Sequence, residues 1–339
     1  MVSGYLVSMP MFYSVIIPVY NRPDEVDELL QSLTSQSFKN FEVIIVEDGS
    51  SVPCETVTQK YAEQLQISYY SKPNSGPGQT RNYGAERASG DYLIILDSDC
   101  ILPENYFKEV EQELTASPAD AFGGPDRAHA SFSDMQKAIN YSMTSFFTTG
   151  GIRGGKKKMD KFYPRSFNMG VRTGVYRTLQ GFSNMRFGED IDFSIRIFQH
   201  NYVCRLFPGA WVYHKRRTDL KKFFKQVHNS GIARINLYKK YPDSLKLVHL
   251  LPGVFTLGVA VLLLAALLWP VALIPLAVYA LLVGTDAAVQ NKSLRIGLYA
   301  VAASFTQLTG YGTGFWRAWW QRCVRGKDEF SAFSKNFYK

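Results

Sequence analysis

Two carboxylates one residue apart, Asp97 and Asp99, follow directly on the apolar run Tyr92–Leu96. Side chains two apart on an extended chain point the same way, so such a pair at a strand end can share one divalent cation. Asp-x-Asp alone is a weak signal, because turns favour aspartate. Its place at the end of a buried run makes it a candidate metal site. A second acidic group, Glu189-Asp190-Ile191-Asp192, follows Gly188 and opens a helical pattern. Acids in a first helical turn can serve only the helix dipole, or one can act as a general base. His214 leaves the short apolar run Trp211–Tyr213 and precedes Lys215, Arg216 and Arg217. A histidine there is structural, ligates a metal or contacts a diphosphate. Between Asn74 and Asn82 a glycine turn enters a helix, whose free N–H groups suit an anion, and Arg81 can add a bidentate phosphate contact. Neither Gly-x-Gly-x-x-Gly nor a Walker lysine is present, so dinucleotide and P-loop readings lose their main support.

These groups need a scaffold that brings them together. Near-continuous apolar runs at Val15–Ile17, Val43–Val46, Ile67–Tyr70 and Tyr92–Leu96 alternate with helical patterns starting near Pro23, Glu55 and Gln79. That alternation predicts an α/β fold, a mostly parallel sheet covered on both faces. Ligands bind at the carboxyl ends of such strands, where Pro18–Arg22, Glu47–Ser50 and Asp97–Asp99 lie. Residues 126–213 are less regular. Their stretch Gly150–Lys158 reads as a solvated loop or as a lid over an anionic ligand.

Composition narrows the class. A chain of 339 residues allows about two domains, and 20% charged residues with 14% aromatics excludes disorder. The four cysteines are scattered, which excludes a disulfide scaffold or zinc spacing and fits a reducing compartment. The net charge of +9 is concentrated, because residues 205–240 hold ten Lys or Arg and one acid, Asp219. This segment precedes a run from Leu247 to Thr285 free of Asp, Glu, Lys and Arg, so a membrane surface or an anionic substrate is favoured over nucleic acid. The N-terminus lacks the basic start of a signal peptide. Residues 219–246 read as a basic amphipathic helix at a membrane interface. The apolar run divides at Trp269-Pro270 into helices near 248–268 and 271–289, a transmembrane hairpin. A third uncharged stretch, Ile296–Trp316, is weakened by Ser304, Thr306, Gln307 and glycines, and is left as spanning, re-entrant or interfacial.

The order of motifs resembles the family 2 glycosyltransferases with the GT-A fold. The likeness runs from Tyr13 to Thr218 and rests on Pro-Val-Tyr-Asn (18–21), Glu-Asp-Gly-Ser (47–50), Gly-Gln-Thr-Arg-Asn (78–82), Asp-Ser-Asp (97–99) and Gly-Glu-Asp-Ile-Asp (188–192). The resemblance implies a nucleotide-sugar donor, a divalent metal (Mg2+ or Mn2+) and inversion at the anomeric carbon. By it, Asp48 would bind the nucleobase with Pro18 and Tyr20 as walls, and Arg81 would face the nucleotide. Asp97 would contact ribose or metal with Ser98 beside it, and Asp99 would hold the metal, completed by His214. Asp190 would be the base, with Glu189 adjacent, while Lys215 and Arg216 would serve the diphosphate. Many members carry Asp-Asp-Gly-Ser where this chain has Glu47 first. No Gln-x-x-Arg-Trp follows Asp190, and Trp316-Arg317-Ala318-Trp319-Trp320 suits an aromatic membrane belt instead, so a processive polymerase is excluded.

The expected organisation is a donor-binding half at 11–125, an acceptor and catalytic half at 126–218, the interface helix at 219–246, membrane helices at 247–316 and a basic tail at 317–339. The expected protein is a glycosyltransferase at the cytosolic face of the inner membrane, acting on a lipid-linked glycan in envelope polysaccharide or surface-glycan synthesis. The alternatives are a polyprenyl-phosphate sugar synthase and a non-catalytic, membrane-tethered sugar-nucleotide binder.

Overall fold

The computed structural model describes residues 10–129, 131–149 and 162–328. Its first half alternates as expected: β1 (Tyr13–Val19), α1 (Pro23–Thr34), β2 (Phe41–Asp48), α2 (Glu55–Gln59), β3 (Ile67–Lys72), α3 (Pro77–Ala85) and β4 (Tyr92–Leu96). Then come β5 (Cys100–Ile101), α4 (Tyr106–Ala116), β6 (Ala121–Gly123), β7 (Asp126–Arg127), α5 (Asp134–Thr144) and α6 (Phe146–Thr149). They are followed by β8 (Asn168–Arg172), α7 (Thr173–Thr178), α8 (Glu189–Gln199), β9 (Cys204–Leu206) and β10 (Val212–His214).

The main sheet has the order β3-β2-β1-β4-β8-β6-β9. Strands β1 to β4 run parallel, and β8 is antiparallel to both β4 and β6. Period-two alternation sends Val15, Ile17 and Val19 to the face covered by α1 and α4, and Ile16 to the face covered by α3, α7 and α8. Both faces are dry, which is why these strands read as unbroken apolar runs. A small sheet, β5-β10-β7, holds the end of β10 against the chain just past β4. That pairing sets His214 opposite Cys100. In this irregular second half the sequence marks α8 and β10, while β6, β7 and β9 are too short to show a period.

The C-terminal part is four helices: α9 (Leu220–Lys240), α10 (Leu251–Ala266), α11 (Ile274–Asn291) and α12 (Leu294–Trp319). Asp219 caps α9, its carboxylate accepting from Lys222 N at 2.7 Å. Helices α10 and α11 are long and apolar enough to cross a membrane when counted from Leu247–Ala266 and Pro270–Asn291, with mean hydropathies of 2.3 and 1.9. Their outer faces expose Leu257, Val261, Leu264, Leu268, Trp269 and Leu281. A turn at Trp269-Pro270 separates them, where the sequence divides the run.

The third apolar stretch becomes α12, which packs against α5, α9, α10 and α11. Its glycines weaken it as a lipid-facing span and suit it to this central place. The backbones of α9 and α12 come so close that a Cβ at Gly231 would lie 2.1 Å from Tyr311 O, and one at Gly314 would lie 1.9 Å from His228 O. Accordingly, the apolar stripe of α9 (Phe223, Val227, Ile232, Ile235) packs within the protein rather than lying bare for a membrane interface. Lys221, Lys225, Lys239 and Lys240 remain on its outside with Phe224. The stretch expected as a lid falls mostly at 150–161, outside the described residues.

Gly231→Val overpacks the α9–α12 contact and should destabilise the purified chain by about 1–3 kcal/mol or more in denaturant unfolding. Gly258→Ala, at an α10 position with nothing within 4 Å, should be neutral.

Candidate functional site

The carboxyl ends of β1 and β4, the first turns of α3 and α8, and one side of α9 line a cleft of about 970 Å³. Pro18, Tyr20, Arg81, Asp97, Ser98, Asp99, Glu189 and Asp190 all face it. The fold thus unites residues that lie up to 172 positions apart in the chain.

Each carboxylate meets a cation. Arg81, 3% exposed, spans two of them, with Nη2 2.7 Å from Asp97 Oδ1 and Nη1 3.1 Å from Glu189 Oε1. Arg22 Nη1 lies 2.7 Å from Asp99 Oδ2, and Arg165 Nε lies 2.7 Å from Asp190 Oδ2. Burial and the neighbouring Asp190 push the Glu189 carboxyl up to about 7, against the opposing pull of Arg81. Arg22 and Arg165 were given no role from sequence, where their only signal is that clustered acids require countercharge. Arg217 stands out in sequence as the last cation of the run Lys215–Arg217.

Behind Asp99 lies His214, with Nε2 3.2 Å from Asp99 Oδ1 and its ring stacked on Phe167. Burial disfavours both charges, but their attraction prevails. It holds Asp99 well below the usual carboxylate range, with Arg22 assisting, and raises His214 to about 9. Asp99 Oδ1 is buried against this imidazole, and the Asp99, Cys100 and His214 ligand atoms lie within 4.8 Å of one another. Cys100 is no ligand for a hard cation. Burial keeps its thiol protonated, and Sγ donates to Phe167 O at 3.3 Å. A carboxylate oxygen with an imidazole nitrogen fits Mn2+ better than Mg2+, which prefers oxygen donors throughout. Asp97, expected to share this ion, is not part of the cluster and pairs with Arg81 instead.

Several other expected site residues sit elsewhere. Asp48 is 1% exposed and does not line the cleft. Its two oxygens accept from Ser75 N and Gly76 N, each at 2.8 Å, and it pairs with Lys72. It thereby fixes the turn that presents α3 and Arg81. Lys215 pairs with Glu28 at 2.6 Å, and Arg216 with Asp126 and Asn140, so Arg217 alone of the three cations faces the cleft. The chain after β10 is held by Lys215 N donating to Asp99 O at 3.0 Å, which fixes which side chains turn inward. Asp192, the last acid of the 188–192 motif, is a fully buried clamp. It accepts from Arg196 Nε at 2.9 Å and Tyr241 OH at 2.9 Å and pairs with Lys240, tying α8 to the end of α9.

The raised Glu189 gives a signed pH dependence. A carboxyl whose folded pKa lies above its unfolded value contributes stability at pH below about 4.3, and that contribution is lost as pH rises through about 7. Glu189→Gln keeps an acceptor for Arg81 and does not titrate. Its melting temperature relative to wild type should therefore climb between pH 4.5 and 7 and level off above; a flat difference rejects the assignment.

Residues 14–179 match glycosyl transferase family 2. An uncharacterized glycosyltransferase of Rickettsia felis is 33% identical over 135 residues, covering 40% of this chain and 22% of that protein. The poly(ribitol-phosphate) beta-N-acetylglucosaminyltransferase TarS of Staphylococcus aureus is 34% identical over 103 residues, covering 29% and 18%. The chain thus spans about a fifth of the length of these curated relatives. Among solved structures, the mannosyltransferase PcManGT of Pyrobaculum calidifontis, in complex with GDP-Man and Mn2+, superposes with a TM-score of 0.62 at 16% identity, over 88% of this chain and 86% of that one. With the motifs at 18–21, 47–50, 78–82 and 97–99 inside the matched span, residues 14–179 of this chain form a glycosyl transferase family 2 domain.

Proposed function

We propose that the chain transfers a sugar from a nucleotide-diphosphate donor to a membrane-associated acceptor, with a divalent metal and with inversion. The observation that carries this reading is the meeting of Asp99, Arg81 and Asp190 in one cleft at the carboxyl ends of β1 and β4. The solved relative bound to GDP-Man and Mn2+ supports the donor class.

In this reading Tyr20 and Pro18 flank the nucleotide, while Arg81 and Arg217 face its phosphates. Asp99 and His214 hold the metal, which supplies charge stabilisation to the leaving diphosphate. Asp190 receives the proton of the acceptor hydroxyl through Oδ2 once the acceptor displaces Arg165, whose side chain is 40% exposed and therefore cheaply moved. Glu189, its carboxyl raised to about 7 and paired with Arg81, adds less repulsion to that carboxylate than a free glutamate would. Direct displacement of the diphosphate by the acceptor oxygen, with Asp190 taking its proton, gives inversion.

The membrane part of the proposal rests on two bare apolar helices and on the outer cleft, lined by Lys222, Lys225, Arg234 and Arg317. An amphiphile with a phosphate suits both, so the preferred acceptor is a lipid-linked glycan in envelope polysaccharide or surface-glycan synthesis, used at the cytosolic face of the inner membrane. The guanidinium of Arg165 on Asp190 favours a second reading, polyprenyl-phosphate sugar synthesis, because a phosphate nucleophile wants a cation and needs no base.

Nucleoside diphosphate release with Mn2+, measured on polyprenyl-phosphate and polyprenyl-diphosphate-sugar acceptors, separates the two. For a hydroxyl acceptor, Asp190→Asn should lower kcat by about 10²–10⁴-fold, and Asp99→Ala should abolish the Mn2+ response. An Asp190→Asn variant as active as wild type overturns the base and leaves the phosphate acceptor. No release with any common donor rejects both.

A further inference from the structure

A second cavity, of about 460 Å³, lies beside the end of α9, away from the acidic end of the cleft. Its walls are Lys239 and Lys240 of α9, Asn184 and Met185 of the turn before α8, Asn236, and Arg322 from beyond α12. Arg322 belongs to the π-helical turn Trp320–Val324 that ends α12. Such widened turns recur where a helix places a side chain for a ligand. Here the turn aims Arg322 back over α9.

Two features make the cavity a site rather than a dent. Among the described residues, Nε and Nη1 of Arg322 are both buried without a hydrogen-bond partner. Leaving charged donors buried and unmade is costly, so an acceptor belongs there. The local charge is also unbalanced. Asp192 is the acid at hand, and it is already shared by Lys240 and Arg196. Among the described residues no carboxylate pairs with Lys239 or Arg322. A guanidinium edge, an ammonium and an amide on three walls match a tetrahedral oxyanion. The level of the site is marked by its neighbours Trp319 and Trp320, 40% and 51% exposed, where aromatic residues flank the apolar helices.

We propose that this cavity binds a phosphate group, through Arg322, Lys239 and Asn184, and that it is distinct from the donor end of the cleft, with which it shares the wall residue Asn236. The same chemistry is offered by an anionic phospholipid headgroup and by free phosphate. The proposal stands on Arg322 and its surroundings and does not depend on the transfer reaction.

The test uses the full chain in nanodiscs of phosphatidylcholine with and without phosphatidylglycerol, and separately in detergent titrated with inorganic phosphate. Thermal melting and lipid retention by native mass spectrometry are read on wild type, Arg322→Gln, Lys239→Gln and Lys221→Gln. A phospholipid site gives phosphatidylglycerol retention that Arg322→Gln and Lys239→Gln weaken by about tenfold, with Lys221→Gln unchanged. A phosphate site gives the same pattern with inorganic phosphate and no preference between the two lipids. Should Arg322→Gln fail to fold, Lys239→Gln against Lys221→Gln carries the comparison. Equal weakening by Lys221→Gln, or no response to either probe, overturns the site.

Discussion

Four carboxylates, Asp97, Asp99, Glu189 and Asp190, converge at one end of a sheet dry on both faces, and their mutual repulsion is the constraint the rest of the structure answers. Water cannot screen them well there, so each must meet a cation or take up a proton. Arg81 bridges Asp97 to Glu189, Arg22 covers Asp99, Arg165 covers Asp190, and His214 lies against Asp99 from behind. The residual strain falls on Glu189, whose carboxyl shifts toward neutrality. A cleft compensated in this way is poised for exchange: groups that balance its charge in the resting chain are the ones a metal, a diphosphate or an acceptor must replace.

Positioning those cations is what the surrounding elements do. Arg81 sits in the first turns of α3 because Asp48 ties down the turn ahead of it. His214 faces Asp99 because β10 pairs with β5, directly beyond the end of β4. The α8 acids are held by Asp192, and since Asp192 grips Lys240 and Tyr241, the acidic end of the cleft is mechanically tied to α9. Helix α9 in turn lies on α12 at glycine contacts, and α12 carries both apolar helices. One continuous chain of packed elements therefore runs from Asp190 to the bare surfaces of α10 and α11.

The sequence was legible where a residue's own neighbours determine its state. Strands β1, β2 and β4 are buried on both faces, so their apolar runs are unbroken, and the acids that end β4 stand out by contrast. The split of the apolar run at Trp269-Pro270 was legible for the same reason, since proline cannot continue the preceding helix. What stayed hidden depends on partners far away in the chain. The role of α12 is invisible locally, because glycine in a weak apolar helix reads alike whether it faces lipid or another backbone. Arg22 and Arg165 become meaningful only when the fold sets them 77 and 25 residues away from their acids.

The motif acids carry a sharper lesson. Asp48 and Asp192 stand in stretches on which the resemblance to the family rests, yet both are buried in hydrogen bonds to the scaffold and neither lines the cleft. Asp48 secures the turn ahead of α3 and Asp192 the contact of α8 with the end of α9. A motif therefore records everything that must be right for the site to exist. Within Gly-Glu-Asp-Ile-Asp, helical geometry itself divides the labour. Asp190 and Asp192 are about 200° apart around α8, so one faces the cleft and the other faces α9. Strand geometry would have put both on one side. The helix is what lets adjacent acids of one motif hold the architecture and face the reaction at once.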